Sequence, residues 1–377
     1  MAGFDLYQAI GGTAMCRKLA TAFYARVARD PALRPLFPGK TFKCAIEEFA
    51  AFLAQLLGGP SEDTQRRWWL SLRESHLRFK IGQTERDAWI RNMETALDDV
   101  EVAEPVRRAL LAFFAKSSAY VVNIGPTAPI ALDHIELSGE RIHEEIMRRW
   151  DAQHALDEAV AAVRTGETDH VIALVENLPL RVYFETNRGV FASLLGLMIG
   201  SGHTAMLDYV QRGLSKDPSL AQERYSGRTL LHTAAAAGNL TIVGLLLRLG
   251  ADPNSEDSTG HAPLYCVGNE CAVAGGGNVV KALVEAGANV NARGGVKHCT
   301  ALHMAARRGN VEVAEALLDC GAEIDARDSI GVTPLRRSVN CRKSEMAAFL
   351  VSRGAAMHSK RPAPQNDDGK QASSDVA

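Results

Sequence analysis

Apolar residues recur at helical spacing along the first third of the chain. The spacing predicts four short amphipathic helices, over residues 14–29, 43–57, 84–98 and 104–122. The first of them carries Leu19 and Phe23 on one face, and the second stops at the run Gly58 to Pro60, which ends a helix sharply. Thr84 is the expected N-cap of the third. Because this region lacks the two-residue alternation of a half-buried strand, we predict an all-α domain.

The second half of the chain repeats itself with a period of about 33 residues. The run Thr229 to Ala235 recurs as Thr300 to Ala306, and weaker copies begin at Ala262 and Thr333. Each copy is followed by a second apolar helix that ends in glycine, at positions 250, 287, 321 and 354. Small alanines let paired helices stack closely, and glycine ends the second helix through a left-handed turn. This pattern resembles the ankyrin repeat, which implies an α-solenoid that holds a protein partner.

The repeats set the expected division of the chain. Two degenerate copies at about 161–175 and 199–210 bring the array to five or six repeats. In this frame His232 and His303 are structural groups of the repeat rather than metal ligands. The predicted segments are a helical domain at 1–124, a linker and docking helix at 125–154, ankyrin repeats at 155–358 and a disordered tail at 359–377. The docking helix itself is predicted over residues 137–150.

Composition excludes several classes of protein. The chain has 377 residues, 46% of them hydrophobic, which is enough for two or three domains. A formal net charge of −2 gives no general attraction to nucleic acid or to an acidic membrane. Seven cysteines without framework spacing favour reduced thiols, and neither a signal peptide nor a membrane-spanning run is recognisable. We therefore expect a cytoplasmic protein that binds neither nucleic acid nor membrane.

His76 is the only histidine in the first 133 residues, and it lies in an amphipathic, aromatic-rich segment. A neutral imidazole in such a place is a candidate iron ligand. Tyr24, Phe37 and Trp89 are the residue types that a small haem pocket places around its ring. A lone histidine is, however, more often a satisfied core or surface group, and buried tyrosines and tryptophans usually pack with their polar tips bonded to backbone. The residue types alone leave both interpretations open.

A set of matches spread over residues 4–124 favours the haem interpretation. The matches are Phe4, Tyr7, Ile10 to Gly12, Phe23, Tyr24, Leu33 to Pro38, Phe52, Leu53, Gly58 to Pro60, His76 to Ile81, Glu85 to Arg91, and Met93. With these residues the region resembles the second group of truncated haemoglobins, which implies a short two-over-two helical globin. Residues 65–72 depart from the glycine-histidine-proline run of that family and hold Trp68 and Trp69 instead. We expect one of these indoles to pack on the haem edge or on the following domain.

The resemblance also implies roles for four pocket residues around haem b. His76 would be the proximal ligand and so the iron-binding residue, and Phe37 would pack on the ring. Tyr24 would supply a distal phenol and Trp89 a distal indole. Both groups are hydrogen-bond donors, which stabilise a diatomic ligand that carries partial negative charge.

Four further residues complete the predicted cofactor site. By the same resemblance Ala45 and Phe49 would line the rest of the distal wall, where alanine supplies no donor. Arg73 and Lys80 would pair with the haem propionates, although charges on a helix face are more often only solvated.

The function expected from these two halves is binding of dioxygen or another diatomic at a His76-ligated iron, coupled to an ankyrin protein-interaction module, as in a haem-based sensor. One alternative is a haem redox enzyme with peroxidase-like or nitric-oxide dioxygenase activity, although the chain has no flavin or nicotinamide fingerprint. Another is a haem-free ankyrin adaptor. Candidate partner contacts are the loop tips at residues 255–258, 293–297 and 327–330. The repeat framework does not identify the partner.

Overall fold

The computed structural model describes residues 6–59, 71–126, 141–224 and 227–357. The chain divides into two units. One comprises Met1–Ala234 with Arg248–Ala251, and the other comprises Ala235–Leu247 with Asp252–Ala377. The described part of the chain is all-helical, as predicted, and an isolated β-bridge joins Gly294 to Cys299. None of the helices in these ranges is long and apolar enough to cross a bilayer.

The described helices follow one another along the chain. The first seven are α1 (Leu6–Ile10), α2 (Gly12–Val27), α3 (Lys43–Leu56), α4 (Leu72–His76), α5 (Gln83–Asp99), α6 (Glu104–Tyr120) and α7 (Arg141–Thr165). Then come α8 (Thr168–Glu176), α9 (Leu180–Thr186), α10 (Arg188–Ser201), α11 (Thr204–Lys216), α12 (Leu230–Ala236) and α13 (Leu240–Arg248). The last six are α14 (Pro263–Glu270), α15 (Gly276–Glu285), α16 (Ala301–Arg308), α17 (Val311–Asp319), α18 (Pro334–Asn340) and α19 (Ser344–Ser352). Short 3-10 turns at Arg34–Leu36 and Pro218–Gln222 complete the helical elements of these ranges.

The four helices predicted from spacing in the first third are α2, α3, α5 and α6, each within two residues of its predicted ends. Helix α3 stops where the glycines were expected to stop it, and Gly58 has a φ of +90°, a left-handed conformation that favours glycine. The predicted cap of α5 was wrong. The helix begins at Gln83, and the backbone N–H of Gly82 donates to the Glu85 carboxylate at 2.8 Å. The carboxylate half of a capping box thus replaces the expected Thr84 cap, since the N-cap residue Gly82 has no side chain.

Helix α7 belongs to the same apolar core as the helices before it. Ile146 and Trp150 are buried in one cluster with Phe113 of α6. The ring centroids of Trp150 and Phe113 lie 5.7 Å apart, and those of Trp150 and Tyr120 lie 5.6 Å apart. The predicted docking helix was 137–150, of which 137–140 lie outside the described residues. The observed helix continues to Thr165 and so runs through the predicted boundary at residue 155.

The second unit stacks helix pairs in the way that its repeated sequence predicts. Thr300 caps α16, since its hydroxyl accepts from the His303 backbone N–H while the His303 Nδ1 accepts from the Thr300 N–H at 3.2 Å. The other ring nitrogen of His303 donates to the Val332 carbonyl at 2.9 Å. Gly268 of α14 lies so close to the Ala301 carbonyl that a Cβ atom would collide with it. These contacts agree with the expected structural role of His303.

The disordered tail predicted at 359–377 and the tryptophans at 68 and 69 lie outside the described residues.

Candidate functional site

His76 is the last residue of α4, a helix of five residues. The Ser71 hydroxyl caps the first turn by accepting from the Glu74 N–H at 3.1 Å. Beyond the helix, the amide of Asn123 donates to the Phe79 carbonyl at 2.8 Å and accepts from the Ile81 N–H at 3.0 Å. Because a helix this short has little stability of its own, tertiary hydrogen bonds such as these determine where the His76 ring lies.

The Nδ1 atom of His76 lies 2.8 Å from the Leu72 carbonyl oxygen and 2.9 Å from the Ser75 hydroxyl. A carbonyl oxygen only accepts hydrogen bonds, so Nδ1 carries the proton. In the neutral ring this leaves a lone pair on Nε2, the form in which histidine binds a metal. Burial lowers the pKa of His76 and so favours this neutral form.

A continuous series of aromatic contacts leads from His76 through the predicted pocket residues. The His76 ring lies 6.2 Å from Phe79, which lies 5.7 Å from Phe37, and Phe37 lies 5.5 Å from Tyr24, all between ring centroids. The series continues from Tyr24 to Phe49 at 6.3 Å, and from Phe49 to Trp89 at 6.2 Å. The structure therefore brings together five of the eight predicted site residues.

Tyr24 and Trp89 bring polar groups into this aromatic region. Tyr24 is only 9% exposed, and burial raises the pKa of its phenol, so the hydroxyl keeps its proton. Trp89 is partly buried, and no hydrogen bond joins its indole N–H or the Tyr24 hydroxyl to another described residue. The arrangement therefore leaves two donors for a ligand.

The other three predicted site residues lie less centrally. Ala45 is partly buried and packs against the core at the start of α3. Lys80 is exposed. The guanidinium of Arg73 lies over the ring of Tyr120, 5.6 Å from its centroid. Arg73 thus contacts α6, and its pairing with a haem propionate stays a prediction, as does that of Lys80.

Sequence reasoning missed Asp157, a buried residue of α7 that binds the N-terminus of α4. Its carboxylate accepts from the backbone N–H of Leu72 at 2.8 Å and from that of Arg73 at 3.1 Å. A neighbouring ion pair joins Arg164 of α7 to Glu74 of α4 at 2.5 Å. Burial raises the pKa of Asp157, although each of its hydrogen bonds lowers it. The helix that carries His76 is therefore attached to a helix beyond residue 124.

Comparison with known proteins gives two family matches. The model for bacterial-like globins matches residues 5–123, and the model for three ankyrin repeats matches residues 195–294 and 269–361. The group 2 truncated hemoglobin YjbI of Bacillus subtilis (strain 168) is 35% identical over 117 residues, which are 31% of this chain and 87% of that protein. Two-on-two hemoglobin-3 of Arabidopsis thaliana is 28% identical over 107 residues, which are 28% of this chain and 61% of that protein.

The repeats have relatives of their own. The human ankyrin repeat and SOCS box protein 16 is 36% identical over 152 residues, which are 38% of this chain and only 33% of that protein. The chain thus spans about a third of this relative, and the likeness concerns the repeats. A globin-type ligand-binding domain is followed by a protein-interaction module. The chain belongs to the truncated globin family, with its globin domain at residues 5–123 and ankyrin repeats at residues 195–361.

Proposed function

We propose that the globin domain binds haem b through the Nε2 of His76, takes up dioxygen or another diatomic ligand, and passes its ligation state to the ankyrin module. The observation that carries this proposal is the hydrogen bond from His76 Nδ1 to the Leu72 carbonyl. It fixes the neutral tautomer with a lone pair on Nε2, which is the donor that haem iron requires. The aromatic rings beside it supply the apolar surface that a porphyrin needs.

Haem, when bound, would supply an iron that takes a small diatomic ligand. The chain's own residues would hold the group and act on its ligand. His76 would hold the iron, and Phe37 and Phe79 would exclude water from the porphyrin face. The Tyr24 hydroxyl and the Trp89 indole would donate hydrogen bonds to the ligand.

The Tyr24 and Trp89 donors would favour retention of the diatomic ligand over its rapid release. A net hydrogen bond contributes about 1 kcal/mol, and one to a group that carries charge contributes about 1.5–3 kcal/mol. One such bond slows ligand escape by roughly 5-fold or more, and two bonds slow it further. Slow release suits a sensor.

The sensor part of the proposal rests on α7. This helix packs Ile146 and Trp150 into the globin core and continues to residue 165, just before α8. The protein partner would bind the repeats, where Val296 (95% exposed) and Ile330 (70% exposed) lie at the predicted loop tips. Exposed apolar side chains at such tips are typical of contact surfaces.

Absorption spectroscopy tests haem ligation by His76. The full chain is reconstituted with haem and reduced, and spectra are recorded with and without carbon monoxide. We expect a sharp Soret band with a five-coordinate, histidine-ligated ferrous form. His76→Ala should lose this form, and added imidazole should restore it. His170→Ala is the matched control, because His170 is exposed and its ring pairs with the exposed Glu158 at 2.9 Å.

Two outcomes would contradict the proposal. If His76→Ala and His170→Ala both gave the wild-type spectrum, His76 would not be the ligand. If amide hydrogen exchange across residues 141–224 of the full chain were the same with and without carbon monoxide, the sensor part would fail, since a ligand shifts only those states that it binds differentially.

A further inference from the structure

A single peptide group lies between Asp157 and His76. The peptide that joins Leu72 to Arg73 receives the His76 Nδ1–H on its carbonyl oxygen at 2.8 Å. Its N–H, which belongs to Arg73, donates to Asp157 Oδ2 at 3.1 Å. The imidazole and the carboxylate are thus hydrogen-bonded to opposite ends of one amide, in the order imidazole, amide, carboxylate.

Four donors surround the Asp157 carboxylate. Besides the two backbone N–H groups of Leu72 and Arg73, the Gln153 amide donates to Oδ1 at 2.9 Å, and the neighbouring Tyr120 hydroxyl is a fourth donor group that lowers the pKa of Asp157. Asp157 is only 3% exposed. A carboxylate has about four acceptor sites, so this set of donors is satisfied by the ionised form and not by a protonated acid. The site therefore holds a negative charge at the N–H end of the amide.

Such a charge polarises the amide toward its carbonyl. A more negative carbonyl oxygen is a stronger acceptor, and chains of hydrogen bonds strengthen one another in a medium of low dielectric constant. The His76 N–H would then be held more tightly, and Nε2 would become more basic. The partner of a ligating histidine's second nitrogen fixes the ring orientation and raises the basicity of the ligand in this way.

We propose that Asp157 is a positioning residue for the iron ligand, which orients the His76 ring and raises the electron donation of its Nε2 through the Leu72–Arg73 peptide. This inference rests on the proposed function, because it concerns the haem-bound protein. It assigns part of the proximal side of the pocket to α7, outside the range that matches the globin family. A displacement of α7 relative to α4 would change the His76 ligand, which gives the helix a direct means of acting on the iron.

The test compares two variants of α7 in the haem-loaded full chain. Asp157→Asn removes the charge and turns an amide N–H toward the backbone donors. Asp151→Asn removes the same charge on the same helix, where Asp151 is solvent-exposed and lies 3.7 Å from Lys116. The iron–histidine stretching frequency of the ferrous, ligand-free protein is measured by resonance Raman spectroscopy. The rate of haem transfer to an excess of a haem-scavenging protein is measured alongside.

We expect Asp157→Asn to lower the stretching frequency and to speed haem loss by about tenfold or more, as for other partners of ligating histidines. Asp151→Asn should match the wild type in both. Equal frequencies in Asp157→Asn, Asp151→Asn and wild type would overturn the inference while leaving haem binding intact. Loss of the histidine-ligated spectrum from the wild type itself would instead remove the proposed function.

A second variant covers the case in which Asp157→Asn does not fold. Tyr120→Phe removes one neutral donor and keeps the carboxylate, so more of its charge acts on the Arg73 N–H. The stretching frequency should then rise above the wild-type value. An unchanged frequency in a folded Tyr120→Phe protein would overturn the inference, since a merely structural contact predicts no such upward shift.

Discussion

Trp150 allows a direct test of whether α7 is part of the globin core. Its side chain is 3% exposed and makes edge-to-face contacts with Phe113 and Tyr120 at centroid distances of 5.7 and 5.6 Å. Truncation of a buried tryptophan to alanine costs about 3–5 kcal/mol, which combines lost transfer free energy and the cavity left behind. The two aromatic pairs contribute roughly 0.5–1.5 kcal/mol each beyond burial. We therefore expect Trp150→Ala to lower the free energy of unfolding by an amount at the upper end of that range.

The assay follows the Soret band of the haem-loaded full chain during urea unfolding. This signal reports the globin domain alone, whereas far-UV circular dichroism reports all helices and need not unfold in one step in a chain of two units. With a urea slope of about 2 kcal/mol per M, a loss of about 4–5 kcal/mol lowers the Soret midpoint by roughly 2–2.5 M. The later part of the dichroism transition, which comes from the repeats, should move much less.

Asp151→Asn again provides the control, because an exposed ion pair contributes less than about 1 kcal/mol. The reasoning is refuted if Trp150→Ala shifts the Soret midpoint no more than this control does. In that case the described contact between α6 and α7 would not contribute to the stability of the haem pocket. The globin domain would then be energetically complete at residue 123.

Two further predictions concern helix stacking and pH. Gly268→Ala should force α14 away from the Ala301 carbonyl and lower the stability of the second unit by about 1–3 kcal/mol. Gly213→Ala in α11 of the first unit, with open space around its Cβ, should raise the stability of that unit by about 0.5–1 kcal/mol. A wild-type urea midpoint of the second unit in Gly268→Ala would contradict the stacking argument. Burial lowers the pKa of His303 below its ordinary value of about 6.5, so its contribution to stability is fully present above that value and is lost as the pH falls toward the folded-state pKa. In His303→Gln the urea midpoint should decrease less between about pH 7 and pH 5 than it does in the wild type. An equal decrease in both proteins would show that protonation of His303 is not its cause.

The sequence predicted the helices of the globin domain because their signal is local. Apolar spacing in α2 and α3 depends on residues within one helix, and the glycine stop after α3 depends on one left-handed backbone position. The aromatic part of the site was also predictable, since Tyr24, Phe37 and Trp89 matched a family pattern. What could not be predicted is the neighbour of each side chain. Arg73, for example, contacts Tyr120, 47 residues farther along the chain.

Asp157 shows why the hydrogen bonds that hold the helix of His76 could not be predicted from the sequence. An aspartate within a helical run is ordinarily a solvated charge, and no local pattern distinguishes a buried one. Its partners Leu72 and Arg73 lie 85 and 84 residues earlier in the chain. They donate from the backbone, so the side chains at these positions carry no trace of the interaction. The predicted docking helix was the one available signal, and it ended at Trp150, seven residues before Asp157.

The segment between the two family matches therefore has a role that neither match describes. Residues 124–194 lie outside both matched ranges, yet α7 within them supplies Ile146 and Trp150 to the globin core and Asp157 to the helix of His76. A flexible tether would leave the two modules energetically independent. A helix that shares a core with one module and holds the helix of His76 by buried hydrogen bonds cannot move without a cost there, since a buried carboxylate deprived of its donors is strongly disfavoured. Coupling in this protein would therefore be carried by α7, and variants of its buried face should alter haem ligation before they alter the repeats.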